Sequence, residues 1–117
     1  MKRIAESAVG IASGSELLFS AYEDGGEMWT GRGPRLLVRH VTFEERFRAA
    51  PTVHLSMTMW DTDASVNQRM DIQATAVTET GFDIEFRTWD NSRVARVRAG
   101  WMAIGPVRYV DNWDFED

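Results

Sequence analysis

The sequence predicts an all-β fold, a six-stranded antiparallel β-sandwich, and three observations carry that expectation. Apolar and polar residues alternate with a period of two along several stretches, turn-forming residues separate those stretches at regular intervals, and helical periodicity is weak nearly everywhere. Short strands spaced in this way pack as two sheets around one core. A length of 117 residues suits one modest domain. Residues 1–117 are read as that single domain, with an acidic, aromatic tail from about residue 106.

Residues 15–22 are the first strand candidate and residues 36–43 the second. Between them, Glu23-Asp24-Gly25-Gly26-Glu27 and Thr30-Gly31-Arg32-Gly33-Pro34 are glycine-rich loops on either side of Met28-Trp29. Residues 44–50 have the best helical pattern in the chain and predict a single turn ended by Pro51, since the residue before a proline avoids the helical region. Residues 52–60 alternate strictly, with Val53, Leu55, Met57 and Met59 on one side and His54, Ser56 and Thr58 on the other. That is a strand with one buried face. In residues 71–78, Ile72, Ala74 and Ala76 keep one phase until Val77 breaks it, which marks a bulge or a strand end. Thr80-Gly81 is expected to close a short hairpin loop, with Gly81 supplying a positive φ. Phe82, Ile84 and Phe86 then alternate with Asp83, Glu85 and Arg87, and Asp90-Asn91-Ser92 predicts a turn. In residues 94–105, Ala95, Val97, Ala99, Trp101 and Ala103 share a face opposite Arg96, Arg98 and Gly100, in a strand long enough to cross the domain. Residues 108–117 combine acids with Tyr109, Trp113 and Phe115, aromatics expected to dock on a groove of the same or a neighbouring protomer.

Composition removes several function classes. Thirteen Lys and Arg face eighteen Asp and Glu, a formal net charge of −5, and no basic run departs from that balance. Nucleic acid and anionic membranes are therefore not expected partners. With no cysteine there is neither a disulfide framework nor a thiolate metal site. The opening Met-Lys-Arg-Ile-Ala-Glu has an early acid and no continuous apolar stretch, so neither a signal peptide nor membrane insertion is expected. Cytoplasmic synthesis, with release or attachment to a surface or particle, fits that reading. An enzyme is not expected: there is no Gly-x-Ser-x-Gly elbow and no nucleophilic cysteine, and nothing in the spacing of Asp61, Asp63 and Asp83 assigns them to one cleft. His40 and His54, on the non-apolar faces of separate strands, do not point to a metal site, and no cofactor is expected.

Several landmarks combine into a family signature. Val41-Thr42-Phe43, Pro51-Thr52-Val53-His54-Leu55-Ser56 and Asn67-Gln68-Arg69 are followed by Thr80-Gly81-Phe82-Asp83-Ile84-Glu85-Phe86-Arg87-Thr88-Trp89-Asp90-Asn91-Ser92 and then Trp101-Met102-Ala103-Ile104-Gly105. In order and spacing this resembles the H-type lectin domain, a family of β-sandwiches that bind galactose and N-acetylgalactosamine. The resemblance implies a homotrimer, or a stacked hexamer, with glycan sites between subunits. A galactose-type sugar presents a fixed pattern of hydroxyls and an apolar C–H face, so its site needs hydrogen-bonding side chains beside an aromatic wall. The family draws its contacts from segments that match the loop ending in Arg69 and the turn beginning at Trp89. Arg69 would donate to ring hydroxyls and Trp89 would supply the wall. Gly31 and Arg32 lie where the family has Gly-Arg-Asp, with Gly33 in place of the acid. Asp90 replaces a family histidine and offers a carboxylate that accepts from two adjacent hydroxyls, while Ala95 replaces a pocket-closing tyrosine.

Each of these residues also has a structural reading. Trp60, Trp89 and Trp101 suit a core or an edge, Arg69 suits an ion pair between protomers, and Asp90-Asn91-Ser92 would turn in any case. Arg87, Arg93, Arg96 and Arg98 read as a basic stripe on the outer face of a hairpin, paired with acids on neighbouring strands. Beside the lectin stands a second functional reading: an assembly or adhesion module of a bacterial or phage-like particle that keeps the fold without the sugar site.

Overall fold

The computed structural model describes residues 1–5, 8–22 and 25–109. Among these, β1 (Val9–Ser20), β6 (Val94–Pro106) and β3 (Thr52–Thr62) form one sheet in the order β1-β6-β3. β2 (Arg35–Thr42), β5 (Gly81–Thr88) and β4 (Met70–Thr75) form the other in the order β2-β5-β4. Every pairing is antiparallel. A one-turn helix, α1 (Glu27–Thr30), interrupts the connection from β1 to β2.

The alternation of the sequence becomes the core. Phe82, Ile84 and Phe86 of β5 and Val97, Ala99 and Ala103 of β6 are fully buried between the sheets, with Leu18, Val41 and Phe43. Phe43 packs on Phe82, and Trp101 meets Phe82 edge to face at 5.4 Å, so Trp101 is a packing residue. Val53, Leu55 and Met57 of β3 close the core from the edge of their sheet.

Four expectations need correction. First, β1 begins at Val9, six residues earlier than the pattern predicts, because there the large apolar residues Val9 and Ile11 face outward and the small Gly10 and Ala12 take the inner positions, which inverts the usual polarity. Gly14 is there because a Cβ would lie 2.7 Å from the indole of Trp101. Second, residues 44–50 form no helical turn. Their backbone is bonded outward instead, Phe47 N–H to Glu79 O and Arg48 N–H to Pro106 O, while the Phe47 ring packs edge to face on Phe43. Third, Gly81 does not supply the positive φ of the β4–β5 turn. That conformation belongs to Ala76 (φ 51°), which explains the phase break at Val77, and Gly81 opens β5 where a Cβ would come within 2.2 Å of Val41 O. Fourth, the basic stripe is divided, since β5 and β6 lie in different sheets. Arg87 pairs with Glu85, Arg93 with Asp63 and Arg96 with Asp61. Met28 is buried in the core, and Trp60, on the edge strand β3, is 54% exposed. Tail residues 110–117, including Trp113 and Phe115, lie outside the described residues.

Candidate functional site

Three connections meet at one end of the sandwich: residues 31–34 before β2, residues 63–69 before β4 and residues 89–93 between β5 and β6. Each has a local cause. The Gly31 N–H donates to Glu27 O at 2.7 Å, closing α1, and a Cβ on Gly31 would lie 2.5 Å from that oxygen. Gly33 has φ +73°, a conformation that costs glycine nothing. The Ser65 N–H and hydroxyl both donate to Asp63 Oδ1, at 2.8 and 2.6 Å, which turns the chain after β3. Those donors, the hydroxyl foremost, hold the Asp63 carboxyl below its ordinary range, and Arg93 adds to the effect. Asp90 has φ 62°, left-handed backbone that Asp tolerates better than most residues.

Arg35 ties two of the connections together. At 6% exposure it is buried at the start of β2, and its guanidinium donates to four carbonyls. Nε reaches Gly33 O at 3.0 Å, Nη1 reaches Glu27 O and Met28 O at 3.2 Å each, and Nη2 reaches Asp90 O at 3.2 Å. Burial pushes this guanidinium below its ordinary pKa, Glu27 opposes the shift, and the nearby charge of Arg32 reinforces it. The Gly33 N–H also donates to Asp90 O, at 2.9 Å. The third connection is clamped by its backbone: Arg69 N–H donates to Ser92 Oγ at 2.9 Å and Thr88 Oγ1 donates to Arg69 O at 2.7 Å.

On that backbone sits a polar cluster. Arg69 Nε lies 3.6 Å from Asp90 Oδ2, with both side chains about half exposed. Asn67 Nδ2 donates to Asp90 Oδ2 at 3.3 Å and to Asn91 Oδ1 at 3.0 Å. Gly31 and Arg32 line an adjoining depression of about 420 Å³ with Thr30, Val66, Asn91 and Arg93. Arg93 is fixed there: its guanidinium stacks 4.3 Å from the Trp29 ring centroid, Nε donates to Trp29 O and Nη1 to Asp63 Oδ2. Trp89 shares a different, smaller depression of about 170 Å³ with Pro34, Leu36, Arg87 and others.

Of the residues expected at the site, Arg69 and Asp90 are therefore in contact, Gly31 and Arg32 border them, and Trp89 lines a depression of its own. Ala95 is buried, its carbonyl taken by the Ala21 and Tyr22 N–H groups. Sequence reasoning missed Arg35, Arg93, Asn67 and Asn91 as organisers of this end. A signal for Arg35 existed: it shares the inward phase of β2 with Leu37 and Val41, and an arginine in that phase has to find carbonyls to bind. His40 and His54 lie on different sheets, in β2 and β3, and among the described residues no group of three or more His, Cys, Asp or Glu gathers as for a metal.

Comparison with known proteins bears on the family and the fold. Residues 38–104 match the sequence model of the H-type lectin domain. A Fuscovulum blasticum protein known as ATP synthase subunits region ORF 7 is 50% identical over 110 residues, which is 94% of this chain and 96% of that one. A discoidin-1 chain of Dictyostelium discoideum is 37% identical over 75 residues, 63% of this chain but only 30% of its own length. Among solved structures, recombinant discoidin II of Dictyostelium discoideum superposes with a TM-score of 0.72 at 24% identity, covering 90% of this chain and 40% of discoidin II. The tailspike protein gp49 of Pseudomonas phage LKA1 gives a TM-score of 0.54 at 16% identity, over 86% of this chain and 15% of the tailspike. These two structural likenesses concern the fold. The chain thus corresponds to well under half of each discoidin and to nearly the whole of the Fuscovulum protein.

Proposed function

The chain belongs to the H-type lectin domain family, and we propose that it binds glycans without catalysis through the loop end that holds Arg69 and Asp90. The observation that carries this reading is the Arg69–Asp90–Asn67 cluster. A guanidinium and a carboxylate, both half exposed and held on clamped backbone, present a donor and an acceptor side by side. Vicinal sugar hydroxyls, each both donor and acceptor, need that pairing. Galactose, N-acetylgalactosamine or a related polar sugar is the ligand type the family implies.

The site belongs between the protomers of a homotrimer, or of a hexamer of two stacked trimers. Two features support this. Trp89 occupies a depression apart from the one lined by Gly31 and Arg32, which suits an aromatic wall offered to a neighbouring protomer. The outer face of the β1-β6-β3 sheet exposes Ile11 opposite Ile104, along with Met102 and Leu17, an apolar strip suited to burial against a second copy. Light scattering should give about 40 kDa, three times the 13.3 kDa chain, or twice that for a hexamer. A monomer mass at micromolar concentration would contradict the assembly.

Single-site affinity should be weak, on the order of 0.1–1 mM, with useful strength coming from several sites acting together. Calorimetric titration of Arg69→Ala is the test. The variant should lose glycan binding yet keep its stability to within about 1 kcal/mol, because an exposed ion pair contributes no more than that and the backbone clamp at residue 69 survives the change. Binding equal to the parent would refute the assignment. The exposed apolar strip equally favours an assembly or adhesion module without a sugar site, and an oligomer that responds to no sugar would decide for it.

A further inference from the structure

We infer that the depression lined by Thr30, Gly31, Arg32, Val66, Asn91 and Arg93 receives the carboxylate of an acidic sugar, which makes uronate-bearing glycans the ligand class of this lectin site. The inference rests on the lectin reading above and specifies its ligand.

In a chain of net charge −5, this wall carries two guanidinium groups and no carboxylate. Arg93 is held in place before any ligand arrives. Its planar face lies on Trp29, Nε and Nη1 are committed to Trp29 O and Asp63, and Nη2 remains for an acceptor. A cation immobilised in this way loses little freedom on binding an anion. Arg32 is exposed and makes no hydrogen bond or ion pair among the described residues. It also lies near enough to Arg35 for their charges to repel, so an anion placed beside Arg32 relieves a repulsion already present.

The neighbouring carboxylates are already engaged, Asp90 with Arg69 and Asn67, and Asp63 with Ser65 and one nitrogen of Arg93. A volume of about 420 Å³ accommodates one monosaccharide ring. A hexuronate would set its ring hydroxyls on Arg69 and Asp90 and its carboxylate between Arg32 and Arg93. Val66 offers a small apolar surface for the ring edge. A neutral hexose leaves Arg32 without a charged partner, and the difference between the two ligands is one charge-assisted contact.

The experiment titrates the full-length protein, followed by amide chemical shifts, with galacturonate, galactose, acetate and inorganic sulfate at low and high salt. Galacturonate should bind about tenfold more tightly than galactose at low ionic strength, and the advantage should shrink in high salt. Arg32→Gln should lower galacturonate binding to the level of galactose measured on the same variant, and Arg32→Lys should restore part of the advantage. Because Arg32 is exposed, an unchanged amide spectrum elsewhere verifies that the variant is folded. Equal or weaker binding of galacturonate overturns this inference and leaves the lectin reading standing. An acetate or sulfate response as strong as that of galacturonate also overturns it, since the cleft would then be a bare anion site. Silence toward both sugars overturns the lectin reading and the inference together.

Discussion

Replacing Arg35 by methionine tests what organises the loop end that holds Arg69 and Asp90. Methionine fills much of the same volume but donates nothing. The change strips hydrogen bonds from four carbonyls, of Glu27, Met28, Gly33 and Asp90, and of these contacts only the one to Met28 is fully buried. A buried acceptor left unpaired costs about 1–3 kcal/mol, while the partly exposed ones cost less each, Gly33 O because water can reach it and Glu27 O and Asp90 O because they keep the N–H groups of Gly31 and Gly33. Relief from burying a guanidinium returns part of that loss. The net destabilisation is about 3 kcal/mol. At roughly 4 °C per kcal/mol for a domain of this size, thermal denaturation followed by circular dichroism should show a fall in Tm of about 12 °C. Arg35→Lys should fall nearly as far, because one ammonium cannot span carbonyls contributed by α1, the loop before β2 and the turn at Asp90. The structure also predicts where the damage falls: amides of residues 28–33 and 90 should shift, while those of the β3–β6 pairing should not. A fall of under about 3 °C with those loop amides unmoved would refute the reasoning, since the carbonyls would then have been solvated all along.

Other consequences are equally direct. Gly81→Ala should destabilise by about 1–3 kcal/mol, read from denaturant unfolding, because the new Cβ meets the backbone oxygen of Val41 at 2.2 Å; an unchanged midpoint would contradict this. Ala76→Gly, a few residues earlier, should stabilise by up to about 1 kcal/mol by relieving left-handed backbone at φ 51°, and a loss of stability there would mean the turn is set otherwise. The Asp63 carboxyl should titrate below its ordinary value of 3.8 by NMR. Since its folded pKa is depressed, the stabilisation of its turn is fully present above that ordinary value and is lost only as pH falls through the lower folded one. A midpoint at or above 3.8 would count against the Ser65 contacts.

What the sequence revealed and what it hid follow one physical division. Strands buried on one face announce themselves: Phe82-Ile84-Phe86 and Val97-Ala99-Ala103 were legible because alternate burial forces alternate polarity. The first half of β1 was not, because Gly10 and Gly14 answer to the bulk of Val107 and Trp101, and the exposed side carries Val9 and Ile11, so polarity does not report burial there. Gly81 misled for a related reason. Glycine marks either an unusual φ or a close approach, and only the partner strand shows which. At the loop end, Arg69 and Asp90 were singled out through a family pattern, whereas Arg93 and its stack on Trp29 depend on a contact between residues 64 positions apart. Spacing along a chain carries no trace of such a contact.

The proposed glycan site lies at the end of the sandwich where Arg69 meets Asp90. Mapping amide chemical-shift changes on adding galactose, N-acetylgalactosamine and galacturonate tests it most directly, because the opposite end has a depression of its own, about 360 Å³ lined by Ile11, Thr42, Glu44 and Trp101, to serve as an internal control. Perturbations confined to residues 30–33, 66–69 and 89–93, with residues 10–13 and 42–47 unmoved, are the predicted result. Perturbations centred on residues 10–13 and 42–47, or none at sugar concentrations up to about 10 mM, would contradict it.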